Sequence, residues 1–435
     1  MDENLEKTWN FLKSRKGIAL VSIIFLLIIT SWATSIRLQN IDHLEDHTTG
    51  KKIPLALDPY YFLRVAETKV SPIGGEGSLP EYDKMRYPSA KVEWHPEILP
   101  NAIIFLHKTA KTFNPDVTLR YIDVISPVVF FFVGLILFFF LCYALTNSFL
   151  VASVASVLLG FIPSYLYRTM AGFSDHESIG MMSFFAVLLA FVYGMKYLDK
   201  LKNKTKDKKD YYRISLWALL TGFLTALTIA SWGGVANYVF MIIPLTFFIF
   251  WIVNVNKKDK NKSNEKYFLF YILWLVFTAL SGFIFGYSPG EIVNKFILSS
   301  QGLVTLFTPG FVVVDYILLK IYEKKKNYLP KFLQEREKYR VLGSLIIIGL
   351  LGIIFLQIWK GNFILTIIEV FNKLLRPAGT GRLGQTVAEN RAPFLTDWIN
   401  QTGQLFFWVF FTGLVLLGRR IGKTIKKRSD RGLFV

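Results

Sequence analysis

Asp175 and Glu177 sit one residue apart in the run Y-R-T-M-A-G-F-S-D-H-E, residues 167–177, and they are the side chains here best placed to do chemistry. Two carboxylates at this spacing can both reach one divalent cation if the backbone between them is extended, and hard cations such as magnesium or manganese prefer carboxylate oxygen. On such a backbone His176 points away from the pair. Arg168, seven residues before Asp175, can bind a phosphate or hold a carboxylate through its planar fork of donors. The plainer reading is a solvated loop, since short acidic pairs are common where helices begin.

These residues lie between two long apolar segments, and the whole chain is built that way. Of 435 residues, 52% are hydrophobic and 16% aromatic, and the apolar residues fall in blocks of about twenty, the length that crosses a bilayer. The composition predicts an all-α polytopic membrane protein. The net charge of +19 comes from Lys and Arg in short loops between apolar blocks, which reads as membrane topology and not as a field for nucleic acid. A single cysteine, Cys142, inside an apolar run excludes a disulfide framework or a thiolate metal site within one chain. Its expected role is packing.

Residues 1–16 read as a basic cytoplasmic N-terminus, and the run from residue 17 to about 36 as a retained first span rather than a cleaved signal, being too long and lacking a small-residue site. Residues 37–97 form a long polar loop containing L-D-P-Y-Y-F-L-R and E-W-H-P-E. Residues 98–115 read as an interfacial or re-entrant helix. Spans are predicted near 121–143, 147–165, 176–197, 213–230, 233–255, 267–287, 302–320, 341–359 and 403–418, about ten with the first. Alternate crossings place segments 199–213, 257–266, 320–340 and 419–431, the strongly basic ones, in the cytoplasm. The positive-inside rule and the span count therefore agree.

The same count puts the loop 37–97 with Asp58, the turn 167–177, the turn S-W-G-G with Trp232, and the loop 360–402 with T-V-A-E ending at Glu389 on the external face. One composite site can gather Asp58, Arg168, Asp175, Glu177, Trp232 and Glu389. Carboxylates brought together from distant loops repel unless a cation or an arginine compensates them. Separate solvated loops are the alternative. Trp232 can wall a substrate site or anchor the chain at the interface. Arg376, Arg382 and Arg391 could meet phosphate or acidic peptide, and the glycine-containing loop 360–402 has the composition of a segment that orders on binding.

Taken in order, L-D-P-Y-Y-F-L-R-V-A-E, Y-R-T-M-A-G-F-S-D-H-E, S-W-G-G and T-V-A-E resemble the motifs of the catalytic subunit of oligosaccharyltransferase, the membrane enzyme family of asparagine-linked glycosylation, in its archaeal style. The resemblance covers most of the chain and implies the GT-C architecture, a multi-span domain over 17–418 with external loops 37–97 and 360–402. By position it implies that Asp58 approaches both the metal and the acceptor amide, and that Asp175 and Glu177 hold Mg²⁺ or Mn²⁺. Arg168 matches the arginine before that pair, Glu389 the glutamate that contacts the acceptor asparagine, and His95 a histidine near the lipid phosphate; Trp232 and His176 stand as further substrate contacts. The implied substrates are an oligosaccharide on dolichyl phosphate or diphosphate and a polypeptide with an N-x-S/T sequon. The implied place is the cell membrane, with the site outside.

An asparagine amide nitrogen is a poor nucleophile because its lone pair is delocalised. Carboxylates that accept from both N–H groups favour a twisted, more reactive amide, the part expected of Asp58 and Glu389. A divalent metal neutralises charge on the departing phosphate. Attack from the opposite face of the sugar predicts inversion at the anomeric carbon. The chain departs from the family in containing no W-W-D, the motif of a soluble domain that reads the sequon. Residues 419–435 read as a basic loop and the opening of another span, so an N-terminal portion of a longer protein is expected. Two other readings are a GT-C transferase moving a single sugar from a polyprenyl phosphate, and a transporter or flippase; the second is disfavoured by acids at the rim and by the lack of an evident inverted repeat.

Overall fold

The computed structural model describes residues 3–70, 98–201, 207–255, 261–297, 300–325, 339–360, 365, 368, 372 and 393–429. Helices dominate them, and extended pairing is confined to an isolated bridge between Glu45 and Lys52. Among the described residues eight helices are long and apolar enough to cross a membrane, and two shorter apolar ones, Phe149–Phe161 and Arg340–Phe355, complete the ten segments expected from the sequence.

Helix α1 (Glu3–Lys13) meets α2 (Arg15–Leu38) at Ser14, whose side chain caps α2 by accepting from the Gly17 N–H. The segment expected as a polar loop is not irregular throughout. It contains α3 (Leu57–Val70), which buries Pro59, Phe62, Leu63 and Ala66. These positions follow the i, i+3, i+4, i+7 pattern of a helix face, which the prolines and glycines of the wider segment obscure. The helix expected within residues 98–115 is α4 (Ile98–Lys111), and it packs Leu99 and Ile103 against Phe62 and Ala66 of α3 and Ile122 of α5 (Leu119–Thr146).

Asn147, in the left-handed region at φ 53°, ends α5, and Ser148 caps α6 (Phe149–Phe161). The sequence predicts this span to run to residue 165. It stops at 161 because Ile162, which precedes Pro163, is extended (φ −63°, ψ 125°), the conformation a following proline favours. Helix α7 (Pro163–Tyr167) starts anew with that proline at its first position.

Next come α8 (His176–Lys200), α9 (Lys208–Ser231), α10 (Gly233–Val255), α11 (Asn261–Ile284), the single turn α12 (Pro289–Glu291), α13 (Ser300–Lys325), α14 (Arg340–Lys360), α15 (Leu395–Thr402) and α16 (Gln404–Ser429). Helices α5, α8, α9 and α11 pack in succession, with α2 and α6 on one flank and α10, α13 and α14 forming a second group. The largest core lies between α8, α9, α10 and α11, where Phe191, Ile214, Phe247, Phe270 and Trp274 are buried. The Trp274 indole N–H donates to Thr225 Oγ1 at 3.0 Å, so its polar atom is satisfied across helices. In the second group Asp315 of α13 is fully buried and accepts from Arg340 Nε (3.0 Å), Ser344 Oγ (3.0 Å) and Trp251 Nε1 (2.8 Å), tying α13 to α14 and α10.

What positions the candidate site is a clamp on the loop before α8. Arg37, near the end of α2, is fully buried rather than reaching outward as arginines flanking a span usually do. Its guanidinium lies 3.4 Å from the Phe131 ring centroid; Nε donates to Thr169 Oγ1 (2.8 Å), and one terminal nitrogen donates to the carbonyls of Ala33 (3.0 Å) and Gly160 (2.9 Å). Its own carbonyl accepts from the Ala171 N–H at 2.9 Å. A lysine cannot reproduce this fork. Arg37→Lys is expected to lower the thermal stability of the purified protein by about 3 kcal/mol, the scale of losing two hydrogen bonds to a buried charge. A melting curve in detergent equal to that of the wild type would contradict the clamp.

Candidate active site

From the Arg37 clamp the loop runs past Gly172, whose φ of +88° suits glycine, and where an added Cβ would lie 2.6 Å from Leu44 Cδ1. Gly172 N–H donates to the Val124 carbonyl of α5 (2.7 Å), and its carbonyl accepts from the Leu55 N–H (2.8 Å). Two spans and the segment leading to α3 thus fix the backbone that delivers Asp175.

Asp175 caps α8: its side chain accepts from the His176 N–H at 2.6 Å. The helix therefore begins at His176, where the span 176–197 is predicted to begin, and the backbone from His176 to Glu177 is helical and not extended. His176 consequently does not point away from the acids. Its Nδ1 lies 2.7 Å from Asp175 Oδ1, and one ligand atom each from Asp175, His176 and Glu177 lie within 4.8 Å of one another. Asp175 is 3% exposed. Burial pushes its carboxyl up, but the hydrogen bond and charge of His176 and the charge of Arg168 outweigh that and hold it below the ordinary carboxylate range. The positive end of the α8 dipole favours the same ionised form.

Arg168 meets Glu177 at 3.1 Å, from its terminal nitrogen to Oε1, and lies 4.9 Å from the Phe173 ring centroid. Of the two roles open to Arg168, holding a carboxylate is the one its contacts show. Glu177 Oε2 is buried with no hydrogen-bond partner among the described residues. An acceptor oxygen left bare beside a second carboxylate and an imidazole is what a hard cation would complete.

Asp58 stands exposed in the first turn of α3, close enough for its charge to act on the His176 ring, although it lies outside the 4.8 Å cluster. One turn further along α3, Phe62 meets the His176 ring edge-on at 6.1 Å. Trp232, between α9 and α10, faces the same imidazole with ring centroids 5.3 Å apart. Room for that indole is made by Gly180, where an added Cβ would lie 2.8 Å from Trp232 Cβ. The structure thus brings together Arg168, Asp175, His176, Glu177 and Trp232, with Asp58 alongside. His95 and Glu389, and the arginines Arg376, Arg382 and Arg391, lie outside the described residues.

Sequence reasoning passed over Asp123 and Ser174. Asp123 is fully buried at the start of α5, and its Oδ2 accepts from Ser174 Oγ at 2.8 Å, directly behind Asp175. An acid within an apolar span is itself a functional signal.

A model of the family described as oligosaccharyl transferase STT3, N-terminal, matches residues 19–376, most of the chain. The chain belongs to that STT3 family. Among curated proteins it is similar to the dolichyl-phosphooligosaccharide-protein glycotransferase of Methanocaldococcus jannaschii, 25% identical over 312 residues that make up 66% of this chain and 33% of that protein. The protein of the same description from Methanococcus voltae is 22% identical over 239 residues, 52% of this chain and 25% of that one. The chain thus spans a quarter to a third of the length of these relatives.

Among solved structures, the archaeal oligosaccharyltransferase AglB from Archaeoglobus fulgidus in complex with an inhibitory peptide and a dolichol-phosphate superposes with a TM-score of 0.64 at 16% identity, over 92% of this chain and 45% of that one. The same organism's oligosaccharyltransferase in complex with Zn and sulfate gives 0.56 at 15% identity, over 91% and 51%. At such identity the likeness establishes the STT3 fold.

Proposed function

We propose that this chain carries the metal and donor site of a metal-dependent, inverting oligosaccharyltransferase, which moves an oligosaccharide from dolichyl phosphate or diphosphate to asparagine in N-x-S/T sequons. The observation that carries this reading is the convergence of Asp175, His176 and Glu177 at the start of α8, with one Glu177 oxygen buried and bare. The two carboxylates, as hard oxygen donors, suit Mn²⁺ or Mg²⁺. Asp175 and Glu177 would hold the ion, with Asp58 approaching it from α3. When bound, the ion supplies positive charge against the leaving phosphate. The resemblance supports these assignments, as do the A. fulgidus relatives, one described with dolichol-phosphate and one with Zn and sulfate.

The chain's own groups divide the remaining work. Arg168 keeps Glu177 oriented and adds a second positive charge beside the phosphate. Asp58 accepts hydrogen bonds from the acceptor amide, a part the resemblance also gives to Glu389. The amide nitrogen bonds to the anomeric carbon as the bond from that carbon to phosphate oxygen breaks. The electron pair leaves on the phosphate, and the surplus amide proton passes to a carboxylate. The His176 and Trp232 rings form an aromatic wall suited to the donor. This reading puts the site on the external face of the cell membrane, opposite the basic loops.

The test uses membranes carrying the chain, a labelled lipid-linked oligosaccharide and an N-x-T peptide. Conversion of the donor to glycopeptide, or to free oligosaccharide when water replaces the acceptor, is expected with Mn²⁺ and not with EDTA. Donor left intact under both conditions, by this chain and by the same chain extended at its C-terminus, would overturn the proposal. Transfer from a polyprenyl-linked monosaccharide alone would favour a single-sugar transferase.

A further inference from the structure

We propose that Asp123 is a positioning residue for the metal site, holding the backbone that presents Asp175 through Ser174; the inference rests on the metal reading above. Asp123 is 0% exposed and lies in the first turns of α5. Its backbone is engaged within α5 and its side chain reaches the loop before α8. Pro127, four residues on, has no N–H to offer the Asp123 carbonyl, and the Ser126 hydroxyl donates there instead at 2.9 Å. The neighbouring Val124 carbonyl takes the Gly172 N–H at 2.7 Å. The Asp123 side chain takes the Ser174 hydroxyl, itself fully buried, at 2.8 Å.

Ser174 is bonded directly to Asp175. On the far side of that residue, the Ser178 hydroxyl donates to the Asp175 carbonyl at 3.3 Å, and Asp175 N–H donates to the Phe173 carbonyl at 2.9 Å. The Asp175 backbone is therefore pinned from α8, from its own loop and, through Ser174, from α5. This matters because metal affinity depends on how well the groups behind a ligand hold it in place.

The cost of Asp123 argues against a packing role alone. Its Oδ1 is buried without a partner among the described residues. A buried polar atom left bare costs about 1–3 kcal/mol, so an apolar side chain of similar size would give a more stable packing. A carboxylate at that position is explained by what its other oxygen does, which is to orient Ser174.

The test is a Mn²⁺ titration of the full 435-residue chain in detergent, followed by the electron paramagnetic resonance signal of free Mn²⁺, with donor conversion measured across the same Mn²⁺ range. Asp123→Ala and Ser174→Ala are expected to raise the Mn²⁺ Kd about tenfold, the lower end of the effect of groups behind metal ligands. Saturating Mn²⁺ is expected to restore their conversion rate. Asp123→Asn keeps an acceptor for Ser174 and is expected to stay within about twofold of the wild type.

Unchanged Kd in Ser174→Ala and Asp123→Ala, with the wild type binding normally, would overturn the inference while leaving the metal reading intact. Asp123→Asn as weak as Asp123→Ala would overturn it too, by making charge and not positioning the cause. If the wild type itself binds no Mn²⁺, the metal reading fails and the inference with it. Should Asp123→Ala not fold, Ser174→Ala, which removes a single oxygen, decides the matter.

Discussion

Asp175→Asn removes Mn²⁺-dependent donor conversion, by on the order of a thousandfold, while leaving the protein folded; this is the scale on which losing a charge-stabilising group at a reacting centre acts. Asparagine is the informative replacement because Asp175 has two duties. As the cap of α8 it accepts from the His176 N–H at 2.6 Å, and asparagine caps helices about as well as aspartate. As a proposed ligand it supplies negative charge, which asparagine lacks. Asp175→Ala would lose the cap as well, at about 1 kcal/mol, and confuse the two effects. Conversion by Asp175→Asn at the wild-type rate, at any Mn²⁺ concentration, would sink the proposed ligand role. Glu177→Gln is expected to behave in the same way, since it also takes from Arg168 the carboxylate it holds at 3.1 Å.

The largest loss of stability is expected far from that site. Asp315→Ala removes the acceptor shared by the 4% exposed Arg340, Ser344 and Trp251. Deleting one partner of a buried ion pair costs about 3–5 kcal/mol, because the other charge stays desolvated. In an apolar surrounding the penalty also acts on the Trp251 N–H. The outcome is a lowered melting temperature in detergent and faster proteolysis of the linker between α13 and α14. Asp315→Asn, which keeps both acceptor and shape, is expected to fall between wild type and alanine. The Mn²⁺ affinity of the folded fraction stays unchanged, because α2 and α5 hold the loop that leads into α8. Full stability of Asp315→Ala would show that the buried pair contributes nothing net.

Local pattern made much of this legible in the sequence, and tertiary burial hid the rest. Apolar runs of about twenty residues can hardly be anything but spans, so the all-α multi-span architecture followed from them. The end of α6 came out shorter because Pro163 constrains Ile162, a local effect that hydropathy ignores. Helix α3 was masked by its polar surroundings, although its buried face follows a helical period.

The candidate site was legible as a set of residue types and not as a geometry. Arg168, Asp175, Glu177 and Trp232 do gather. The start of α8 was predicted at residue 176, but the contact of His176 with Asp175 comes from the capped first turn, which the apolar pattern does not show. Arg37 and Asp123 drew no reading from the sequence, because nothing local says that one stacks on Phe131 or that the other reaches Ser174. Both are recognisable only once distant spans are packed.

The measurement that tests the central claim most directly is anomalous diffraction at the manganese edge from crystals of the chain soaked in Mn²⁺. The account predicts a peak at the start of α8, within bonding distance of the Asp175 and Glu177 carboxylates, which disappears in Asp175→Asn. No peak there, or a peak that persists in Asp175→Asn, would contradict it.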